Sequence, residues 1–283
     1  MRSAAFLIFA FAPLVILPKT AMGAESFAQF EKKADVKIGV FARRGDKSIS
    51  YSADRRFPHC STFKWVLCAA ILKQAEERKV RLDQKVPFGE KDIVSHSPIL
   101  SNHLKAGKMS VRQLCAAAIR VSDNGAANLL FPLVGGPSGL QRFVRTLGDS
   151  ITRFDRLEPE LNHPGDEEHQ DSTTPKAMTD LIAKLLGGHE LKFDSKALLK
   201  GWLTTATTGN GRLKAAVPAD WEVGHKTGMG DGFVHDVGYL QPPRGKPVYI
   251  SIFTEGTNKD LAVRDKVIAD VAKIALAELG LKN

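Results

Sequence analysis

The chain has 283 residues, 43% of them hydrophobic and 25% charged, with a formal net charge of +9. This is a globular composition, long enough for one large domain or two modest ones with a real core. The basic residues are spread out, with no basic block and no interleaved aromatics, so they predict a solvated surface and speak against nucleic-acid binding.

The opening "MRSAAFLIFAFAPLVILPKTAMGAES" combines Arg2, an apolar run from Ala4 to Leu17, and small residues at Ala21 and Gly23. That three-part pattern predicts a secretory signal peptide over residues 1–23, cut near Gly23, and a secreted or periplasmic mature protein free of the membrane. A membrane anchor is the alternative, but the run contains Pro13 and falls short of the ~20 residues a span needs. No cysteine stands at the cut to carry a lipid. Next, "VKIGVF" (36–41) and "SISY" (48–51) flank a Gly-Asp turn and read as a hairpin. Helical signals follow over 61–79, 110–120, 124–134, 138–147, 175–186 and 195–206. Between them, 148–171 lacks periodicity, and loops of that length are usually functional. Strands return in "WEVGHKTG", "VHDVGYL" and "PVYISIFTEG", and a last helix covers 260–279. Strands at both ends with helices between predict an α+β, two-lobed fold. Residues 24–60 and 207–283 form a lobe around one antiparallel sheet; 61–206 form a mainly helical lobe that includes the long loop. A cleft between lobes is the expected place for a site.

Three cysteines, Cys60, Cys68 and Cys115, leave at least one thiol unpaired. Cys60 and Cys68 flank about two helical turns, roughly 12 Å, too far for a disulfide. Cys68 and Cys115 lie in apolar helical runs and read as buried thiols. No zinc-type spacing occurs, and "GDEEHQD" around His169 reads as a solvated loop rather than a metal site.

Ser61 and Lys64 carry chemistry if they act together. A spacing of three on a helix puts both on one face, and the helix start favours developing negative charge. A lysine in an apolar setting has a lowered pKa and can take a serine proton. The pair alone has a plainer explanation, an N-cap serine beside a snorkelling lysine, and S-x-x-K arises by chance about once in such a chain. "SDN" (Ser122–Asn124) alone would be a turn, and "KTG" (Lys226–Gly228) a strand end.

Together, once each and in this order, the three motifs resemble the signature of class A β-lactamases and penicillin-binding proteins. "RLEPELN" (Arg156–Asn162) resembles the omega loop of class A β-lactamases; penicillin-binding carboxypeptidases lack the deacylating glutamate that Glu158 matches. "FPHCSTFK" and "TTGNGRLKAAVPADWEVGHKTG" look closest to the serine carbapenemase branch. The resemblance implies opening of the β-lactam ring of antibiotics by Ser61, with Lys64, or Glu158 through a water, taking its proton. It implies an oxyanion held by the N–H groups of Ser61 and Met229, and Ser122 protonating the leaving nitrogen. Asn124 would bind the substrate's amide, and Lys226, Thr227 and Arg212 would face its carboxylate. Glu158 and Asn162 would hold the hydrolytic water, and Arg156 and Asp171 would close the loop's neck. No metal or cofactor is implied, and a monomer is expected. His96 stands at the cleft rim where the family has Tyr or Trp. His225 stands beside Lys226 where the family has Asp, and is expected to titrate near neutral pH. Gly230 stands where the carbapenemase branch has a cysteine partner for Cys60, so Cys60 is expected to be free. A penicillin-binding carboxypeptidase, a non-catalytic β-lactam sensor and a basic periplasmic binding module are the alternatives.

Overall fold

The computed structural model describes residues 19–163 and 167–281; the predicted leader lies outside them up to residue 18. In chain order the elements are α1 (Lys19–Ala34), β1 (Val36–Arg44), β2 (Lys47–Tyr51), β3 (Phe57–Pro58) and α2 (Phe63–Glu76). Then come β4 (Lys85–Pro87), α3 (Pro98–His103), β5 (Lys108–Ser110), α4 (Val111–Arg120), α5 (Asn124–Leu130) and α6 (Gly136–Thr146). After the long loop follow β6 (Ser172–Thr173), α7 (Pro175–Ile182), α8 (Phe193–Thr204), β7 (Glu222–Gly230), β8 (Phe233–Gln241), β9 (Val248–Gly256) and α9 (Leu261–Glu278).

Strands from both ends of the chain build one antiparallel sheet in the order β2-β1-β9-β8-β7. Val36 pairs with Gly256, and Phe233 with Gly230 and Glu255. The fold is thus α+β, as the sequence predicts. β1, β8 and β9 are buried along most of their length because both faces of the sheet are covered. On one face Ile38, Ile250 and Ile252 pack with Phe27 of α1 and with Ile268, Val271 and Leu276 of α9. On the other, Val237, Tyr239 and Phe253 join a second core with Leu181 of α7, Leu199 of α8 and all of the apolar face of α2. That second core continues through α2, α4, α5 and α6, while α7 and α8 lie against the sheet itself.

Local sequence sets the helix starts. Ser110 and Gln113 form a reciprocal capping box at α4, with bonds of 3.2 and 2.9 Å. Asp123, Thr174 and Asp260 cap α5, α7 and α9. Several helices end earlier than predicted. α2 stops at Glu76, and one tight 3₁₀ turn, Cys60–Thr62, precedes it. α5 gives way to a 3₁₀ turn at Phe131–Val134, where Pro132 offers no N–H to continue an α-helix.

Candidate active site

Ser61 lies on the 3₁₀ turn and Lys64 in the first turn of α2. Phe63, Trp65 and Val66 make that turn part of the core, so Lys64 is fully buried. Its ammonium reaches five acceptors: Ser61 Oγ at 2.9 Å, the Ser122 carbonyl at 2.8 Å, Ser122 Oγ at 3.3 Å, Asn124 Oδ1, and Glu158 Oε1 at 2.9 Å. An ammonium has only three protons, so this cluster has acceptors to spare. Ser61 Oγ lies 3.2 Å from Glu158 Oε1.

The turn between α4 and α5 delivers Ser122, held in a left-handed conformation at φ 62°. Asp123 anchors the turn, accepting from the N–H groups of Ala126, Ile99 and Leu100. Asn124 donates to the Ser95 carbonyl at 2.8 Å. Across the cleft, β7 brings buried Lys226, whose Nζ donates to Ser122 Oγ at 3.0 Å and to the Thr227 carbonyl at 2.7 Å. Thr227 Oγ1 lies 2.8 Å from Thr208 Oγ1. β7 is an edge strand, so its outer backbone groups have no strand to pair with. Met229, near its end, is 55% exposed.

The long loop carries Glu158 into the same cluster. Asn162 Nδ2 donates to Glu158 Oε2, and the Glu158–Pro159 peptide is cis. Arg156 Nε meets Asp171 Oδ2 at 2.6 Å. The other Asp171 oxygen accepts from the N–H groups of Asp155 and Arg156 at 2.8 and 3.0 Å, closing the neck. Asn162 Oδ1 is buried and has no hydrogen-bond partner among the described residues.

Arg212 is buried beside Thr227 and is already committed on one side. Its Nε donates to Asp265 at 2.6 Å and its Nη1 to the carbonyls of His235 and Gly228 at 2.8 and 3.3 Å. Only Nη2 remains for a further acceptor, so a fork-shaped grip on a carboxylate is not available. His96 is exposed at the rim, with Nε2 2.9 Å from the Val121 carbonyl. Neighbours in a strand face opposite ways; Lys226 pairs with Val237 of the inner core, while His225 pairs with Gly238 on the outer face. There it sits 2.9 and 2.8 Å from the two Asp236 oxygens.

Burial holds Lys64 below the ordinary lysine range, and the Glu158 charge opposes it. Burial pushes Lys226 down further, with the Lys64 charge adding to the effect. For Glu158 burial alone would raise the carboxyl. The Lys64 charge and the hydrogen bonds from Lys64, Asn162 and Ser61 outweigh it, keeping Glu158 ionised.

Sequence reasoning missed residues that hold these groups. Asn128 bonds the backbone of Glu158 on both sides; its signal was a polar residue one turn beyond Asn124 in an otherwise apolar helix. Asp265, Asp236 and His59 also act across large sequence separations and carried no local signal.

A buried amine and a carboxylate meeting on the Ser61 hydroxyl, with a second buried amine on Ser122 beside them, form the layout of an enzyme with an activated nucleophile. The family profile described as "Beta-lactamase enzyme family" matches residues 24–279. The carbapenem-hydrolyzing β-lactamase KPC of Klebsiella oxytoca is 41% identical, over 93% of this chain and 91% of that protein. β-Lactamase SME-1 of Serratia marcescens is 38% identical, over 91% and 89%. The structure of an ancestral (GNCA) class A β-lactamase superposes with a TM-score of 0.87 at 40% identity, covering 90% of this chain and 99% of that one. The chain belongs to the β-lactamase enzyme family, as a class A serine β-lactamase.

Proposed function

We propose that this β-lactamase works through an acyl-enzyme on Ser61. Ser61 Oγ attacks the ring carbonyl. Its proton goes to Lys64 in the neutral form that burial favours, or through a bridging water to Glu158. The tetrahedral oxyanion sits between the N–H groups of Ser61 and Met229, where losing one donor typically costs ~3–4 kcal/mol. As the C–N bond breaks, Ser122 passes a proton to the ring nitrogen. Lys226, 3.0 Å from Ser122 Oγ, supports that hydroxyl and, with Thr227 and Arg212 Nη2, faces the substrate carboxylate. Asn124 binds the substrate amide and His96 borders its entry. A water donating to Glu158 and to the free Oδ1 of Asn162 then hydrolyses the ester, while Arg156 and Asp171 hold the loop closed. Residues 24–60 with 207–283, and 61–206, are proposed as the two lobes bounding the cleft. The mature protein is proposed as a periplasmic or secreted monomer, released by cleavage near Gly23.

The observation that carries this reading is Glu158 Oε1 3.2 Å from Ser61 Oγ with Asn162 on its other oxygen. A protein that only traps the drug needs no such group. The test is Glu158→Ala mixed with a penicillin and followed by intact mass. One drug mass on Ser61, persisting for minutes or longer, is expected. Sustained hydrolysis without an adduct would overturn the role of Glu158.

A further inference from the structure

His59, two residues before Ser61, is fully buried between the rings of Phe63 and Phe154, whose centroids both lie 5.3 Å away. Its Nδ1 stands 2.9 Å from the carbonyl oxygen of Cys60. A carbonyl only accepts, so Nδ1 carries the proton. Nε2 has no hydrogen-bond partner among the described residues and lies 3.9 Å from Asp171 Oδ1. Burial lowers the proton affinity of the ring, so the imidazole is neutral with its one proton on Nδ1.

The Cys60 carbonyl and the Ser61 N–H are two ends of one planar peptide group. Resting on the reading of Ser61 as nucleophile, we propose that His59 is a positioning residue for the oxyanion site. By donating to the Cys60 carbonyl it fixes the tilt of that peptide and polarises its N–H toward the substrate.

Three features support this role. Cys60 has φ 45°, a left-handed conformation that a side chain such as cysteine adopts only when its surroundings impose it. The surroundings are tight: a Cβ on Gly228 would lie 3.1 Å from the His59 carbonyl and 3.3 Å from Cys60 Cβ. The His59 backbone is itself tied on both sides. Its N–H donates to the Asp171 carbonyl at 2.9 Å, and its carbonyl accepts from Thr62 N and Oγ1 at 3.1 and 2.6 Å. One residue therefore joins the neck of the long loop, the KTG strand and the nucleophile turn. A hydrogen bond into a carbonyl also strengthens the donor at the far end of the same peptide.

The test compares His59→Leu with His59→Asn. Leucine fills the aromatic slot without a donor; the asparagine amide places a donor where Nδ1 stood. In the wild type, nitrogen NMR of labelled histidine should show the Nδ1–H tautomer. His59→Leu should shift the Ser61 amide proton and lower kcat/KM on a penicillin about 3- to 10-fold, the range of one net hydrogen bond. His59→Asn should recover most of that loss although it packs less well. A purely packing role predicts the reverse order. An Nε2–H tautomer, or asparagine falling as far as leucine, would overturn the proposal. Should His59→Leu not fold, the tautomer and the His59→Asn rate decide. If the Glu158→Ala enzyme forms no adduct on Ser61, the reading of the nucleophile has failed, and the tautomer still reports separately on the His59–Cys60 bond.

Discussion

Asn128 grips Glu158 by both of that residue's main-chain groups, accepting from its N–H at 3.0 Å and donating to its carbonyl at 2.7 Å. The carboxylate is thereby positioned from a rigid helix, α5, rather than by the loop that carries it. Removing the amide strands two buried backbone groups, each worth about 1–3 kcal/mol. Asn128→Ala should therefore lower the melting temperature and slow deacylation more than acylation. The steady-state fraction of acyl-enzyme, read by rapid quench and mass, should rise. An unchanged fraction would mean that the loop holds Glu158 unaided.

Arg212 offers a substrate only its Nη2 edge. We expect Arg212→Ala to lower kcat/KM on a penicillin by about 1.5–3 kcal/mol, the worth of a charged hydrogen bond. Asp265→Asn keeps the guanidinium and weakens only its anchor, so it should cost less. Equal kinetics for wild type and Arg212→Ala would refute the assignment.

Cys60 is a free, buried thiol, and a Cβ on Gly230 would stand 3.0 Å from its sulfur. That is the spacing between a disulfide's sulfur and the opposite Cβ, about 3 Å. Titrating unfolded, unreduced wild-type protein should find all three thiols. Gly230→Cys, expressed under oxidising conditions, should lose the Cys60 thiol and gain about 2–4 kcal/mol. The new Cβ also lies 3.1 Å from the Asn162 carbonyl, so the gain should come with a changed hydrolysis rate. A mutant with every thiol still titratable would contradict the geometry.

Acid should weaken the fold through His235. This ring is fully buried among Phe57, Phe233 and Phe253. Its Nδ1 accepts from the Thr254 N–H at 3.2 Å. Burial lowers its pKa to about 3. An unfolded histidine takes up its proton near pH 6.5, so between about pH 6.5 and 3 the unfolded state binds more protons. Stability then falls with falling pH, by about 2 kcal/mol at pH 5 from this group. His235→Phe fits the aromatic surroundings, loses the Thr254 acceptor, and should flatten the curve. Urea midpoints at pH 7 and pH 5 check it; equal changes in both proteins would rule out His235.

Much of this was written locally. The sheet strands and the order of the major helices followed from apolar periodicity and from Gly and Pro. Ser61, Lys64, Ser122, Lys226 and Glu158 lie far apart in the chain, and the fold draws them into one cluster as the motifs implied. Helix ends were less legible, because Pro132 and the left-handed Cys60 tighten turns that the apolar pattern runs straight through. Asn128 and Asp265 were not legible, since what defines each is a partner that only the tertiary structure brings near.

β1 pairs with β9, Val36 against Gly256, so the sheet cannot close until its last strand has left the ribosome. Before that β1 has only β2, and a lone hairpin is marginal in water. Pairings this distant also form slowly. In a growing chain of this topology the five-stranded sheet therefore stays open through most of synthesis. The strand order thus leaves the nucleophile turn and the KTG strand to meet late, and gathers Lys226 to Ser122 only once the C-terminal strands are made.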